Sequence, residues 1–297
     1  MDNLCGFINI YKEAGYTSHD VVNIVRNNLN RVKTGHTGTL DPEATGVLPI
    51  CIGKATKLSE YIASSTKEYR AEMTLGIKTS TQDHTGEIIE KNNVNVSIED
   101  INNAVLSFKG EIYQKPPMYS AIKVNGKKLY ELARQGKEIE RIKRKITIYD
   151  IKINDIIGNN VVIMTILCSK GTYIRTLCND IGEKLGCGAH MSSLLRTKTG
   201  KFYIQDSINL SEFKDYVFKK RYDDIIIPID KVLSELKKVI VSNKAYKFLY
   251  NGNKINLTYL SAEPNYNENV LAYDSSGKLI GIYIRRENFL SPLIMLI

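Results

Sequence analysis

The sequence predicts an α+β protein with an all-β appendage, and three observations predict it. Tyr69, Ala71, Met73 and Leu75 alternate with Arg70, Glu72 and Thr74, the two-residue period of a half-buried strand. Val21, Val22, Ile24, Val25 and Leu29 recur at helical spacing. From residue 237 onward the chain reads as short strands separated by turns. A length of 297 residues suits two domains at roughly 150 residues each. With 43% apolar and 25% charged residues it can bury a sizeable core, which excludes disorder, collagen and small secreted scaffolds.

In chain order, residues 6–11 read as a strand, and the helix that follows has Thr17 or Ser18 as its N-cap. Residues 35–49 hold three glycines and two prolines, too many for the interior of a regular helix or strand. The alternating strand around Tyr69 comes next, then a helix over residues 97–108 with Ser97 and Asp100 placed to cap it. Between residues 110 and 145 the apolar rhythm weakens and charge rises; residues 134–145 carry six Lys/Arg against two Glu. Strands resume at 146–154 and 161–169, the second apolar on both faces as a central strand should be. Lys170-Gly171-Thr172-Tyr173-Ile174-Arg175 turns into a helix ending near Leu185-Gly186. A boundary follows Pro228-Ile229-Asp230 and a helical stretch over 231–237, giving domains of 1–236 and 237–297. Within the second, residues 273–278 read as a hairpin turn.

The formal charge of +9 favours a polyanionic partner, although a basic balance also serves solubility. The five cysteines include no CxxC pair, so neither a disulfide framework nor a zinc ribbon is expected. The start of the chain lacks the pattern of a signal peptide, and no apolar run approaches the roughly 18 residues of a membrane span. A cytoplasmic protein without membrane contact is expected.

Asp41 is the most unusual carboxylate, because it sits in a Gly/Thr/Pro loop with Pro42 restricting its backbone. Two readings stand side by side: a catalytic group, or a turn residue whose side chain satisfies backbone N–H groups. His19, His36, His84 and His190 show no metal-ligand spacing, and GxGxxG, P-loop and GxSxG patterns are missing. Acid–base or carboxylate chemistry without metal or cofactor is what remains.

The segment Gly35-His36-Thr37-Gly38-Thr39-Leu40-Asp41-Pro42-Glu43-Ala44-Thr45-Gly46-Val47-Leu48-Pro49, continuing to Gly53-Lys54-Ala55-Thr56-Lys57, closely resembles the signature of the bacterial tRNA pseudouridine-55 synthases, the TruB family. Lys67-Glu68-Tyr69-Arg70, Pro116-Pro117-Met118-Tyr119-Ser120-Ala121 and Lys127-Lys128-Leu129-Tyr130-Glu131-Leu132-Ala133-Arg134 follow in the family's order. So do Ser169-Lys170-Gly171-Thr172-Tyr173-Ile174-Arg175 and Gly186-Cys187-Gly188-Ala189-His190, so the resemblance spans nearly the whole chain. One departure is Lys12-Glu13-Ala14-Gly15, where the family usually reads Lys-Pro; it is expected to touch no residue with a chemical role.

The resemblance implies a pseudouridine-synthase fold with a mixed, mainly antiparallel central sheet and a PUA-like C-terminal domain. It implies isomerisation of a uridine within RNA, with base flipping and no cofactor or metal. Asp41 matches the catalytic aspartate, Arg175 the arginine paired with it, and Tyr69 the tyrosine against the target base, with proton acceptance a second role. Tyr173 and Leu194 match residues lining the uridine site, although Leu194 also suits a core. His36 matches the histidine that enters the RNA loop when the base turns outward. The basic stretch around residues 110–145 matches an insertion that closes over the T-arm of tRNA, and the C-terminal unit is expected at the acceptor end. A monomer working without guide RNA is implied. The competing function is a tRNA-folding protein in which isomerisation is secondary; an aspartate facing phosphates would weaken a pure binder, which favours the enzyme.

Overall fold

The computed structural model describes residues 4–120, 122–124 and 126–297. In order, β1 (Gly6–Lys12), α1 (Ser18–Asn28), β2 (Thr34–His36), β3 (Thr45–Ile52) and α2 (Ser59–Ala63) lead to β4 (Lys67–Leu75). There follow β5 (Ile77–Thr79), β6 (Ile88–Lys91), α3 (Ile98–Leu106) and β7 (Gly110–Gln114). A small hairpin of β8 (Lys123–Val124) and β9 (Lys127–Lys128) runs into α4 (Leu129–Ala133). The long β10 (Arg144–Ile157) and β11 (Val161–Cys168) precede α5 (Ile174–Lys184), β12 (Ala189–Thr199), β13 (Phe202–Tyr203), α6 (Leu210–Phe218) and α7 (Ile229–Val232). The C-terminal elements are β14 (Lys237–Ile240), α8 (Tyr246–Tyr250), β15 (Ile255–Asn256), β16 (Asn269–Tyr273), β17 (Leu279–Arg286) and β18 (Phe289–Met295).

Nine strands form the central sheet along the path β1-β3-β12-β4-β11-β10-β7, with β2 and β13 paired at its side. Every pairing is antiparallel except β12 on β3, so the sheet is mixed and mainly antiparallel. The alternation around Tyr69 produces the expected strand: Lys67, Tyr69, Ala71, Met73 and Leu75 are buried on one face of β4. That face packs with Val21 and Val25 of α1, Val105 of α3, Leu177 and Ile181 of α5 and Phe213 of α6. The helix starts follow their caps. Thr17 with Asp20, and Ser97 with Asp100, each form a reciprocal capping box.

Three expectations are corrected. Residues 45–49 are not loop but the first half of β3. Pro49 fits there because β12 pairs only with Thr45 and Gly46 while β2 begins at Ile50, so its missing N–H breaks no ladder bond. Gly46, at φ 106°, is where β12 crosses: a Cβ would lie 2.2 Å from the Arg196 carbonyl oxygen. The second correction concerns β11, which is buried on one face only; Val161, Ile163 and Leu167 are half-buried on the back of the sheet beside the long polar side chains of β4. Third, the helix expected over 231–237 ends at Val232, and Lys237 already opens β14. The run Lys237-Lys238-Val239-Ile240-Val241 has a two-residue period that buries Val239 and Val241, which suits a strand.

The C-terminal strands form a five-stranded sheet, β14-β16-β17-β18-β15. Its hairpin turn is held by Asp274, whose Oδ1 accepts the N–H groups of Ser276 and Lys278 at 2.9 and 3.0 Å. Leu271 and Ile282 of this sheet, with Leu296 just after β18, share an apolar cluster with Phe7, Val47, Leu58 and Phe202, so it seats against the back of β1 and β3. Among the described residues no helix is long and apolar enough to cross a membrane.

Candidate active site

The loop between β2 and β3 is held by its backbone, which leaves its carboxylate free. Ser18 at the start of α1 is buried, accepts the Leu40 N–H at 2.9 Å and donates to the Leu40 carbonyl at 3.2 Å. Lys12, fully buried, donates to the carbonyls of Glu13, Tyr16 and Pro42 at 3.0, 2.7 and 2.8 Å. The Gly15 N–H adds a second bond to Pro42 at 3.1 Å. The turn that departs from the family's Lys-Pro is therefore bonded to Pro42, the residue after Asp41, and among the described residues makes no hydrogen bond to Asp41 itself. Asp41 does make the turn foreseen for it, but with its backbone: its carbonyl accepts the Ala44 N–H at 3.1 Å.

The side chain of Asp41 goes instead to Arg175 on the first turn of α5. Nε lies 2.9 Å from Oδ2, and Nη2 lies 3.3 Å from Oδ1. Arg175 is 4% exposed as a residue, and its guanidinium is fully engaged. Nη1 donates to Asp83 Oδ2 at 3.2 Å and to the Thr81 carbonyl at 3.3 Å, and Nη2 also donates to the Tyr119 carbonyl at 2.8 Å. Asp83 is fixed in turn, since Oδ1 accepts from the hydroxyls of Thr81 and Thr85 at 2.7 and 2.6 Å. Gln114, at the end of β7, clamps the residue that caps α5: it donates to the Tyr173 carbonyl at 3.0 Å and accepts its N–H at 2.8 Å.

A cleft of about 560 Å³ opens over this pair. Asp41, Tyr69, Tyr173, Arg175 and Leu194 all line it, with Lys67, Arg144, Lys145, Lys170 and Arg196 supplying positive charge. Leu194 belongs to the main core cluster as well, so its site and core placements coincide. His36 is not in the lining. It sits on β2 opposite Ile50, and its Nδ1 accepts the Gly38 N–H at 3.2 Å, which leaves the ring proton on Nε2.

The two carboxylates on Arg175 are driven apart. Enclosure pushes the Asp41 carboxyl above the ordinary range, against the pull of Arg175 and Lys12, and the Asp83 charge adds to the rise. Burial works on Asp83 in the same sense, but the hydrogen bonds from Thr85 and Thr81 and the Arg175 charge outweigh it, and its pKa is lowered. Burial pushes Tyr69 up, opposed by the neighbouring Arg196. Burial and the Arg196 charge lower the pKa of His36, which favours the neutral ring. Lys12 and Lys67 are each brought down to about 8, chiefly by burial.

Residues 26–174 match the TruB family pseudouridylate synthase N-terminal domain, and residues 175–234 match the tRNA pseudouridylate synthase B C-terminal domain. The chain belongs to the TruB family. The seam between the two matches falls between Ile174 and Arg175, so the Asp41–Arg175 pair joins them. A protein of Alkaliphilus oremlandii named tRNA pseudouridine synthase B is 54% identical over 255 residues, 86% of this chain and 84% of that one. One of the same name from Clostridium perfringens is 47% identical over 285 residues, 95% of each chain. Among solved structures, one titled as a Cbf5-Nop10-Gar1 complex matches with a TM-score of 0.74 at 29% identity, covering 98% of this chain and 85% of that one. A substrate-bound H/ACA RNP matches with the same TM-score at 26% identity, and with the same coverage.

Four residues that hold this TruB family site escaped the sequence reading: Lys12, Lys67, Asp83 and Arg196. Three of them carried a legible signal. Lys12 follows Ile8 and Ile10, Lys67 precedes Tyr69 and Ala71, and Arg196 follows Leu194, so each places a charge on the buried face of a strand. Asp83 lies among Thr79, Ser80, Thr81 and Thr85, which reads only as a polar turn.

If the ionised Asp41 is the working form, activity must fall as pH drops through its raised pKa. Single-turnover pseudouridine formation should lose activity on acidification with a midpoint above the ordinary aspartate value near 3.9. A rate that stays flat from neutrality down to that value would contradict the assignment.

Proposed function

We propose that this enzyme isomerises uridine 55 in the T-loop of tRNA to pseudouridine, with Asp41 working on the sugar, Tyr69 on the base and Arg175 holding Asp41. The chain is a tRNA pseudouridine synthase, an isomerase. In the reaction the N1–C1′ bond breaks, the uracil turns, C5 bonds to C1′, the C5 proton is lost and N1 gains one; nothing is added or removed overall. A carboxylate suits C1′, where positive character develops as the base departs. The observation that carries the assignment is one contrast. The Asp41 side chain keeps 38% of its exposure at the cleft, whereas the arginine oriented against it is 5% exposed.

Tyr69, Tyr173 and Leu194 flank the flipped uracil in this proposal. His36 enters the space left in the RNA loop; a neutral ring fits that task, because no charge need be stripped of water to stack between bases. Residues 110–145 close over the T-arm, offering Arg144 and Lys145 at the cleft. Residues 1–236 form the catalytic unit, and residues 237–297 a PUA-like unit that meets the acceptor end. The enzyme acts in the cytoplasm as a monomer without guide RNA. In support, the relatives named tRNA pseudouridine synthase B are 54% and 47% identical, while the H/ACA complex chains are 29% and 26% identical.

The deciding experiment incubates the purified protein with unmodified tRNA and maps pseudouridine by chemical labelling. A single T-loop position should be modified, and Asp41→Asn should lower the rate by ~10⁴-fold while RNA binding persists. Modification elsewhere, or undiminished turnover by the variant, would overturn the proposal. His36→Ala should slow modification of folded tRNA roughly 10-fold, and that of an unstructured stem-loop much less. Equal losses on both substrates would remove His36 from loop opening.

A further inference from the structure

Arg196 is 1% exposed, yet it forms no ion pair with any carboxylate among the described residues. Its Nε donates to the Val47 carbonyl at 2.7 Å, Nη1 to Thr39 at 3.3 Å and Nη2 to Gly38 at 3.2 Å. Lys67 resembles it: 6% exposed, it donates to the carbonyls of Ala63 and Ser65 and, among the described residues, to no carboxylate. Both cations flank one residue, because a Cβ on Gly38 would lie 3.9 Å from Arg196 Nη1 and 4.0 Å from Lys67 Cε. Both line the cleft with Tyr69, whose hydroxyl lies beside the Arg196 guanidinium. The cleft is therefore electrically lopsided. On one side Arg175 is shared by Asp41 and Asp83; on the other, two buried cations lack a counter-ion.

Burying a guanidinium without a partner is expensive, and three carbonyl dipoles replace an anion only in part. A loop strut needs the bonds but not the charge. The reaction supplies a use for that charge, since heterolysis of N1–C1′ leaves the bonding pair on the ring and the detached uracil is a monoanion until C5 attacks C1′. We propose that Arg196 is a positioning residue with two tasks. Its bonds fix the loop that carries Asp41, and its unpaired charge, reinforced by Lys67, steadies the departed uracil as an anion beside Tyr69. This rests on the function proposed above.

The test compares single-turnover rates of N1–C1′ cleavage, read as loss of the parent nucleoside, on two tRNAs, one with uridine at the target position and one with 5-fluorouridine, whose base departs more easily as an anion and whose C5 has no proton to lose. Arg196→Met should slow the uridine substrate ~100-fold and the fluorinated one ~10-fold or less, widening the ratio of the two rates. Arg196→Lys, which keeps the charge, should slow both equally and leave that ratio at its wild-type value. An equal loss on both substrates for Arg196→Met, or a widened ratio for Arg196→Lys, would reduce Arg196 to a strut. Should Arg196→Met fail to fold, Lys67→Met carries the test, with a widened ratio expected and an unchanged ratio contrary. Pseudouridine formation by the wild-type protein on the uridine substrate is the control that separates failure of this inference from failure of the proposed function.

Discussion

One guanidinium sets the terms for the whole site. Arg175 is buried and meets two carboxylates and two backbone carbonyls. Three of those four acceptors are themselves pinned: Asp83 by threonine hydroxyls, Thr81 and Tyr119 by the chain. Only the Asp41 carboxylate is left partly open, so the fork orients the one carboxylate of the two that faces the cleft. A charge fixed in place before the substrate arrives needs no reorganisation during reaction, which is what makes preorganised electrostatics effective. Across the central sheet, the Arg175 side chain of α5 and the Asp41 side chain of the β2–β3 loop come within 2.9 Å of each other.

The same fork reaches beyond the chemistry. The Tyr119 carbonyl that Arg175 holds lies at the base of the basic insertion, and Gln114 at the end of β7 clamps the backbone of Tyr173. The stretch 110–145 is therefore bonded directly to the residue that orients Asp41. Opposite this, Lys12, Lys67 and Arg196 bind main-chain carbonyls of Pro42, Ser65 and Val47. The glycine-rich loop is held by Lys12 and Arg196 together with the buried side chains of Leu40 and Ala44. This explains how so permissive a sequence presents its carboxylate in one direction.

Much of the fold was legible because its strands and caps obey local rules. The Lys67–Leu75 alternation and the capping boxes at Thr17 and Ser97 fall where hydrophobic periodicity and hydrogen-bond chemistry put them. The misjudged segments are those where a distant strand decides the outcome. Residues 45–49 become strand because β1 pairs along Gly46–Pro49 and β12 arrives beside Thr45 and Gly46, and nothing near Gly46 in sequence announces either. In the site, Asp41, Tyr69 and Arg175 could be named because they lie in motifs that resemble a family. Asp83 could not, since an aspartate among threonines has many ordinary uses and its partner lies 92 residues away. Arg196 and Lys67 were visible in principle as charges on apolar faces, but only the fold shows that no carboxylate among the described residues meets them.

The most direct measurement of the central constraint is a ¹³C NMR titration of the Asp41 carboxyl in the wild-type protein and in Arg175→Gln. Loss of the guanidinium should raise the Asp41 pKa further, by about 1–3 units, as expected when a neighbouring cation is removed from a carboxylate. An Asp41 that titrates at the same pH in both proteins would mean that Arg175 does not govern its charge, and the site would need a different organising group.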